Sequence, residues 1–273
     1  MSDLAPVRLD ISPDGAAIVT LDRPEKRNAF DELMVSALAE TFETLRAADH
    51  VRVVFLKGAG RSFCAGADLE WMERQGRHSR EDNEADAFAL AEMLRALHAL
   101  PMLTVALVHG GAYGGGSGLV AACDTAIAVS GTHFAFTEVR LGLTPATISP
   151  YVVKAIGARH ASALFATGRP FDAEHALAIG LIHEIVPDLD GLSKAQERLA
   201  DLAFSAAPGA VSAAKQLVAD VAGQSIDAGL SRETARRIAE RRAGDEGREG
   251  LAAFLEKRAP EWAPQPKLIE APE

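Results

Sequence analysis

Six glycines crowd into nine positions, Gly110, Gly111, Gly114, Gly115, Gly116 and Gly118. They follow directly on the apolar run Leu103 to Val108 and open an alanine-rich stretch that reaches Leu119 to Ala122. Inside a regular element each glycine costs about 0.5 to 1 kcal/mol relative to alanine, so such a cluster needs a compensating demand. One demand is close packing of a helix on a sheet. The other is a helix N-terminus whose bare amides and dipole favour negative charge, either a phosphate or an oxyanion that develops during a reaction. The spacing is not GxxxxGK[ST], and GxGxxG fits only by a loose choice of register, so nucleotide binding is the weaker option.

The cluster sits in an alternating pattern of strands and helices. Val7 to Ile11 and Ala16 to Leu21 flank Pro13-Asp14-Gly15 and read as a hairpin. Asp31 is placed to cap a helix whose Met34, Leu38, Phe42 and Leu45 form one apolar stripe. Val51 to Leu56 reads as a buried strand, and an amphipathic helix with Leu90, Leu94 and Leu97 stops before Pro101. After the glycines, Thr125 to Val129 and Phe134 to Phe136 continue the alternation. Parallel neighbours need helical crossovers, so the pattern predicts an α/β fold with largely parallel pairing. From about Leu192 the strands vanish. Val211, Ala214, Val218 and Val221 then make a helical stripe, Arg232 to Arg248 is charge-dense, and the Pro- and Glu-rich end from about Ala263 reads as a loosely held terminus.

Charge and cysteine content exclude several classes. With 28 Lys+Arg against 38 Asp+Glu the net charge is −10, and no basic block stands free of acids, which argues against a nucleic-acid partner. Cys64 and Cys123 are far apart, without metal-ligand or disulfide spacing. No metal is expected, and a reducing compartment fits. The acidic start Met1 to Pro6 does not read as a secretory signal, and Met102 to Val108 is too short to span a bilayer. A soluble cytoplasmic protein without membrane partners is expected.

Two further segments carry candidate chemistry. Gly58 to Leu69 is a glycine-rich loop after a strand, in which small residues leave amides uncovered; packing alone would also account for it. In Phe136-Thr137-Glu138-Val139-Arg140-Leu141-Gly142-Leu143 a carboxylate and a guanidinium stand two residues apart between apolar flanks. If those flanks enclose Glu138, desolvation raises its pKa toward a range useful for proton transfer. Arg140 is then either a counter-ion or a receptor for a substrate carboxylate. His109 reads as a packed histidine, and Ser62 and Ser117 lie outside any GxSxG elbow.

Together these segments resemble the enoyl-CoA hydratase/isomerase (crotonase) superfamily. The likeness runs through Leu21-Asp22-Arg23-Pro24-Glu25-Lys26-Arg27-Asn28-Ala29-Phe30, Phe63 to Leu69, the glycine cluster, Thr137 to Gly142, and Phe254-Leu255-Glu256-Lys257-Arg258-Ala259-Pro260-Glu261-Trp262. It implies a spiral of ββα units with the acyl-CoA site over residues 1–200, a helical trimerisation region over 201–262 and a tail at 263–273. It also implies a trimer or dimer of trimers acting on acyl-CoA thioesters, with coenzyme A as part of the substrate and no separate cofactor. In that likeness the amides of Ala67 and Gly115 hold the thioester oxygen, and Glu138 is the acid-base group. Lys26, Ala65, Asp68, Leu69, Gly114, Gly118, Arg140, Phe254 and Lys257 fall at substrate-binding positions.

The sequence also departs from the general pattern. The first of two glutamates found in general hydratases falls at Gly118, and two CoA-contacting lysines fall at Glu25 and Glu70. Gly142 to Val153, with Glu138-Val139-Arg140 before it, looks most like the bacterial methylglutaconyl-CoA hydratases, whose substrates carry a second carboxylate that Arg140 could receive. The expectation is a hydratase that adds water through a thioester enolate. The alternatives are a 3,2-enoyl-CoA isomerase with one glutamate, and a non-catalytic acyl-CoA binder.

Overall fold

The turn at Pro13-Asp14-Gly15 joins β1 (Val7–Ile11) to β2 (Ala16–Leu21) in an antiparallel register that sets Val7 opposite Leu21. Gly15 takes a φ of 91°, which a side chain would resist. The computed structural model describes residues 5–263. They fall into two units, one ending at Arg198 and one beginning at Leu199.

In the first unit, α1 (Glu32–Arg46) starts where Asp31 accepts a hydrogen bond from the Met34 amide, and it buries Met34, Leu38, Phe42 and Leu45. β3 (Val53–Gly58) follows two residues later than the β-branched run suggests, because the Val51 amide is spent on a turn to Ala48 O. Next come α2 (Leu69–Gln75), α3 (Arg80–His98), β4 (Leu103–Val108), β5 (Gly111–Tyr113), α4 (Gly115–Ala122), β6 (Thr125–Val129) and β7 (His133–Ala135). α5 (Ser149–Thr167, kinked at Gly157), β8 (Phe171–Asp172), α6 (Ala173–Ala178) and β9 (Glu184–Val186) complete it, and the last two strands were not foreseen.

The strands form two mixed sheets, ordered β1-β2-β3-β4-β6-β9 and β5-β7-β8. From β2 to β9 the long sheet is parallel, as the alternation requires. β4 and β6 each give way at once to a strand of the short sheet, β5 and β7, before the chain turns into a helix. This is the ββα spiral. Every tight turn between sheets therefore lies at the C-terminal end of a parallel strand, and the glycine cluster is one of them.

The unit boundary falls within α7 (Leu189–Ser205), and the second unit continues with α8 (Pro208–Val221), α9 (Ala228–Ala243) and α10 (Asp245–Glu256). Arg237 joins α9 to α8 through Asp220 at 2.6 Å. The tail expected at 263–273 lies, beyond its first residue, outside the described residues. Among the described residues no helix is long and apolar enough to cross a membrane.

Between β2 and α1 the chain makes a short 3₁₀ turn, Pro24–Lys26, and then passes Arg27 and Asn28 in left-handed conformation, φ 52° and 57°. Asn28 is fully buried. Its side-chain amide nitrogen lies within 2.8 to 3.1 Å of the carbonyls of Ala59, Ser62 and Phe63, and its oxygen accepts from the Arg23 amide at 2.9 Å. The Arg23 guanidinium donates to Ala29 O at 2.9 Å, pairs with Asp31 at 2.8 Å and reaches Asp68 at 3.4 Å. Asp68 caps α2 through the amides of Glu70 and Trp71. One arginine thus ties together the capping aspartates of α1 and α2. Replacing Asn28 by alanine strands buried carbonyls of the 59–63 loop, and we expect a loss on the order of 3 kcal/mol, read as a lower urea midpoint at unchanged denaturant slope.

Candidate active site

The loop that follows β3 is held from both sides. On one side Cys64 pairs with Ala112 as in a parallel strand: its amide donates to Gly111 O at 3.1 Å, and its carbonyl accepts from Tyr113 at 3.0 Å. On the other side the Phe30 amide donates to Gly66 O and the Asp68 amide to Phe30 O, both at 2.7 Å. Ala67 lies between those two bonds, and among the described residues its own amide meets no acceptor. Gly66 has a φ of 88°, and a Cβ there would sit 2.8 Å from Tyr113 O.

Gly115 is the first residue of α4, so its amide has no carbonyl one turn back to bond. A Cβ on Gly115 would lie 2.6 Å from the Phe30 ring, and one on Gly116 would lie 2.7 Å from Cys64 O. The glycines therefore serve both demands named at the outset. They let two backbones touch, and that contact brings the uncommitted amides of Ala67 and Gly115 to one cavity.

Glu138 opens a short 3₁₀ turn, Glu138–Leu141, just after β7. A Cβ on Gly114 would stand 3.1 Å from Glu138 Oε1, so the carboxylate rests against the glycine that precedes α4. Its Oε2 is buried and has no hydrogen-bond partner. Burial raises the Glu138 pKa above the ordinary 4.5, opposed in part by a hydrogen bond to its own backbone. The cavity, about 500 Å³, is lined by Ala67, Gly114, Gly115 and Glu138 together with Ala65 and Leu69.

The remaining sequence candidates are placed elsewhere. The buried carboxylate of Asp68 is consumed by the α2 cap and by Arg23. Lys26 is paired with Glu70 at 3.0 Å and does not line the cavity; the Glu70 hydrogen bond raises its pKa. Gly118 is buried outside the lining, and a Cβ there would fall 2.2 Å from the Ile148 side chain, so an isoleucine occupies the room a longer residue would need. Arg140 is not among the residues that line this cavity. Its exposed side chain lies over Gly168, where an added Cβ would be 3.2 Å from its Cγ. Both residues lie in the 3₁₀ turn Glu138–Leu141, not along a strand. Phe254, 82% exposed, and Lys257, the left-handed cap of α10, belong to the second unit.

Other polar groups are accounted for structurally. Ser117 donates to Ala112 O at 2.7 Å, and His109 Nε2 lies 3.0 Å from Gly60 O. Burial pushes the Cys64 thiol up to about 12, so it stays protonated and donates to Asn28 O at 3.0 Å. Among the described residues no three His, Cys, Asp or Glu side chains gather as a metal would require.

Sequence reasoning missed one wall of the cavity. Trp71 and Gln75 from α2, with Asp86 and Leu90 from α3, line it opposite no recognisable motif. Their four-residue spacing was the available signal, and it is the spacing of any amphipathic helix.

Two sheets exchanging strands along the chain thus set a pair of uncommitted amides and a desolvated carboxylate in one cavity of an α/β fold. The family model described as enoyl-CoA hydratase/isomerase matches residues 12–265, and the chain belongs to that family. The crystal structure of an enoyl-CoA hydratase from Shewanella pealeana is similar at TM-score 0.91 and 39% identity, covering 95% of this chain and 97% of that one. Pseudomonas aeruginosa AtuE is similar at TM-score 0.90 and 36% identity, covering 95% of this chain and 100% of that one. Enoyl-CoA hydratase AKT6-1 of Alternaria alternata is 32% identical over 246 residues, 89% of this chain and 80% of its own length.

The raised Glu138 pKa has a stability counterpart. The folded carboxyl holds its proton more tightly than the unfolded one, so it lowers stability as pH rises from the ordinary 4.5 through the raised value. Glu138→Gln removes that penalty. The variant is expected to melt higher than the parent near neutral pH, with the difference closing as the pH falls below about 4, in melts run across that range.

Proposed function

We propose that the protein is an enoyl-CoA hydratase, adding water to an α,β-unsaturated thioester with Glu138 as its acid-base group. The observation that carries this is the unpaired, desolvated Glu138 carboxylate against Gly114, in the cavity that also receives the free amides of Ala67 and Gly115. In the proposed reaction the thioester carbonyl oxygen accepts from both amides. Water attacks Cβ and gives its proton to Glu138, while the alkene electron pair moves toward that oxygen as an enolate. The enolate then takes the proton from Glu138 at Cα, which restores the carboxylate and leaves a 3-hydroxyacyl thioester. Each preorganised amide of this kind contributes about 2.7 to 4 kcal/mol to such a transition state.

A second reading, a 3,2-enoyl-CoA isomerase, is favoured by one contact. With Ile148 filling the space beside Gly118, no acid acts from that position of α4, and moving one proton between two carbons asks for only one carboxylate. Hydration through Glu138 alone satisfies the same constraint. As for the acyl group, Gly142 to Val153 suggests 3-methylglutaconyl-CoA, which would need a cation for its second carboxylate. No Lys, Arg or His is among the residues lining the cavity, and this favours an uncharged enoyl chain. The helical second unit, with Leu251, Phe254 and Leu255 exposed, supports assembly into a trimer or dimer of trimers.

The test is turnover on a trans-2-enoyl-CoA, a 3-enoyl-CoA and 3-methylglutaconyl-CoA, followed by the absorbance of the conjugated thioester. A hydratase bleaches the first and an isomerase creates absorbance from the second; binding without turnover on any of them leaves a non-catalytic acyl-CoA protein. For the hydratase, Glu138→Gln is expected to cut kcat about 10²- to 10⁴-fold in a protein that still folds, and the acid limb of kcat/KM in the parent is expected above the ordinary carboxylate value.

A further inference from the structure

The cavity contains a second carboxylate that the proposed chemistry does not use. Asp86 lies on α3, half-buried, and lines the cavity that Glu138 lines. Among the described residues it makes no hydrogen bond and no ion pair, although α3 and its neighbours are rich in paired charges. The rest of that wall is Trp71, Gln75 and Leu90, and the lining as a whole carries two acids and no basic side chain. Leu69, Leu141 and Leu143, between 49% and 73% exposed, form the cavity's outer parts, while Trp71 at 8% is interior. An unpaired carboxylate on such a wall is not a device for fold stability. Half-buried on that wall, its charge is screened less than one in bulk water, and it acts on whatever shares the cavity.

We propose that Asp86 is a specificity-determining residue that restricts the acyl group to chains without a negative charge. The inference rests on the assignment of this cavity to the acyl part of a CoA thioester. An acyl chain ending in a carboxylate would be confined with two like charges and no counter-ion. A chain ending in a methyl, hydroxyl or amide group meets no such opposition, and a neutral polar end could bond to Asp86 itself. The residue discriminates by repelling the wrong ligand rather than by gripping the right one.

The experiment measures binding, so that it does not depend on turnover. Hexanoyl-CoA and adipoyl-CoA share a saturated six-carbon chain and differ in a terminal methyl against a terminal carboxylate; both are titrated calorimetrically into the full chain. The parent is expected to bind hexanoyl-CoA at least tenfold more tightly. Desolvating a carboxylate would produce some of that preference in any apolar cavity, so the decisive figure is its change on substitution. Asp86→Asn should shrink the ratio at least threefold and leave hexanoyl-CoA affinity within twofold. Asp86→Lys, which supplies the missing counter-ion, should shrink it further or reverse it. Raising the salt should narrow the ratio in the parent more than in Asp86→Asn. A ratio unchanged in both variants, or a parent that prefers adipoyl-CoA, overturns the proposal while leaving the acyl-CoA site intact. Failure of the parent to bind either thioester overturns the acyl-CoA assignment and the proposal with it. Should either variant be misfolded by circular dichroism, Asp86→Ser on the same pair decides by the same ratio.

Discussion

A single buried carboxamide holds the catalytic side of this molecule together. The Asn28 side chain touches three carbonyls of the 59–63 loop and takes the Arg23 amide in return, so the end of β2 and the end of β3 cannot separate without stranding polar groups in the interior. Everything that follows in the loop inherits that fixed origin. Phe63 and Cys64 emerge at a defined height, Cys64 pairs with Ala112, and Gly66 is pressed against Tyr113. Arg23 extends the same constraint to both helix caps, Asp31 and Asp68. The ten residues between β2 and α1, two of them in left-handed conformation, therefore set where the amide of Ala67 stands.

Two electrostatic demands are set side by side at that point. A pair of amides that nothing in the protein satisfies favours added negative charge, and a carboxylate without a partner a few atoms away is disfavoured in its charged form. Either alone would weaken the fold. Both become useful in the same event if charge leaves the carboxylate's neighbourhood as a proton arrives and collects on an oxygen between the amides. That is the charge movement of the proposed reaction. The glycines matter here because they keep side chains out of the space between Gly66, Gly114 and Phe30.

How much of this was legible in the sequence depends on what kind of physics wrote it. The largely parallel α/β pairing was readable from the strand and helix alternation, since parallel neighbours need crossovers, whereas the ββα spiral came only from the family resemblance. A close backbone approach was readable from the glycines, because nothing substitutes for a missing Cβ there, whereas the particular amides of Ala67 and Gly115 came from the family resemblance. Positions fixed by turns were less accessible: Arg140 stands two residues from Glu138, but the 3₁₀ turn sends its stem over Gly168. Trp71, Gln75 and Asp86 left no mark beyond helical spacing, because a helix face that lines a cavity obeys the same periodicity as one that meets a core. Gly118 was visible as a departure. Its cause was not, since Ile148 comes from a segment thirty residues away and fills the space only after α5 has packed on α4.

That contact between Gly118 and Ile148 bears on the chemistry more than either residue does alone. A glycine in place of an acid could leave a hole, and a hole beside a desolvated carboxylate would fill with water wherever polar partners allow it. Here the hole is occupied by an aliphatic side chain that is itself buried, so neither an acid nor an ordered water occupies that side of α4. In the proposed reaction Glu138 then receives and delivers the proton from one face of the substrate. Whether the proton it receives comes from water or from a carbon depends on what the cavity admits beside the alkene, and the walls contributed by α2 and α3 decide that. In the proposed reaction, the reaction type and the acyl preference would thus be set by the same surface, the one on which Asp86 lies.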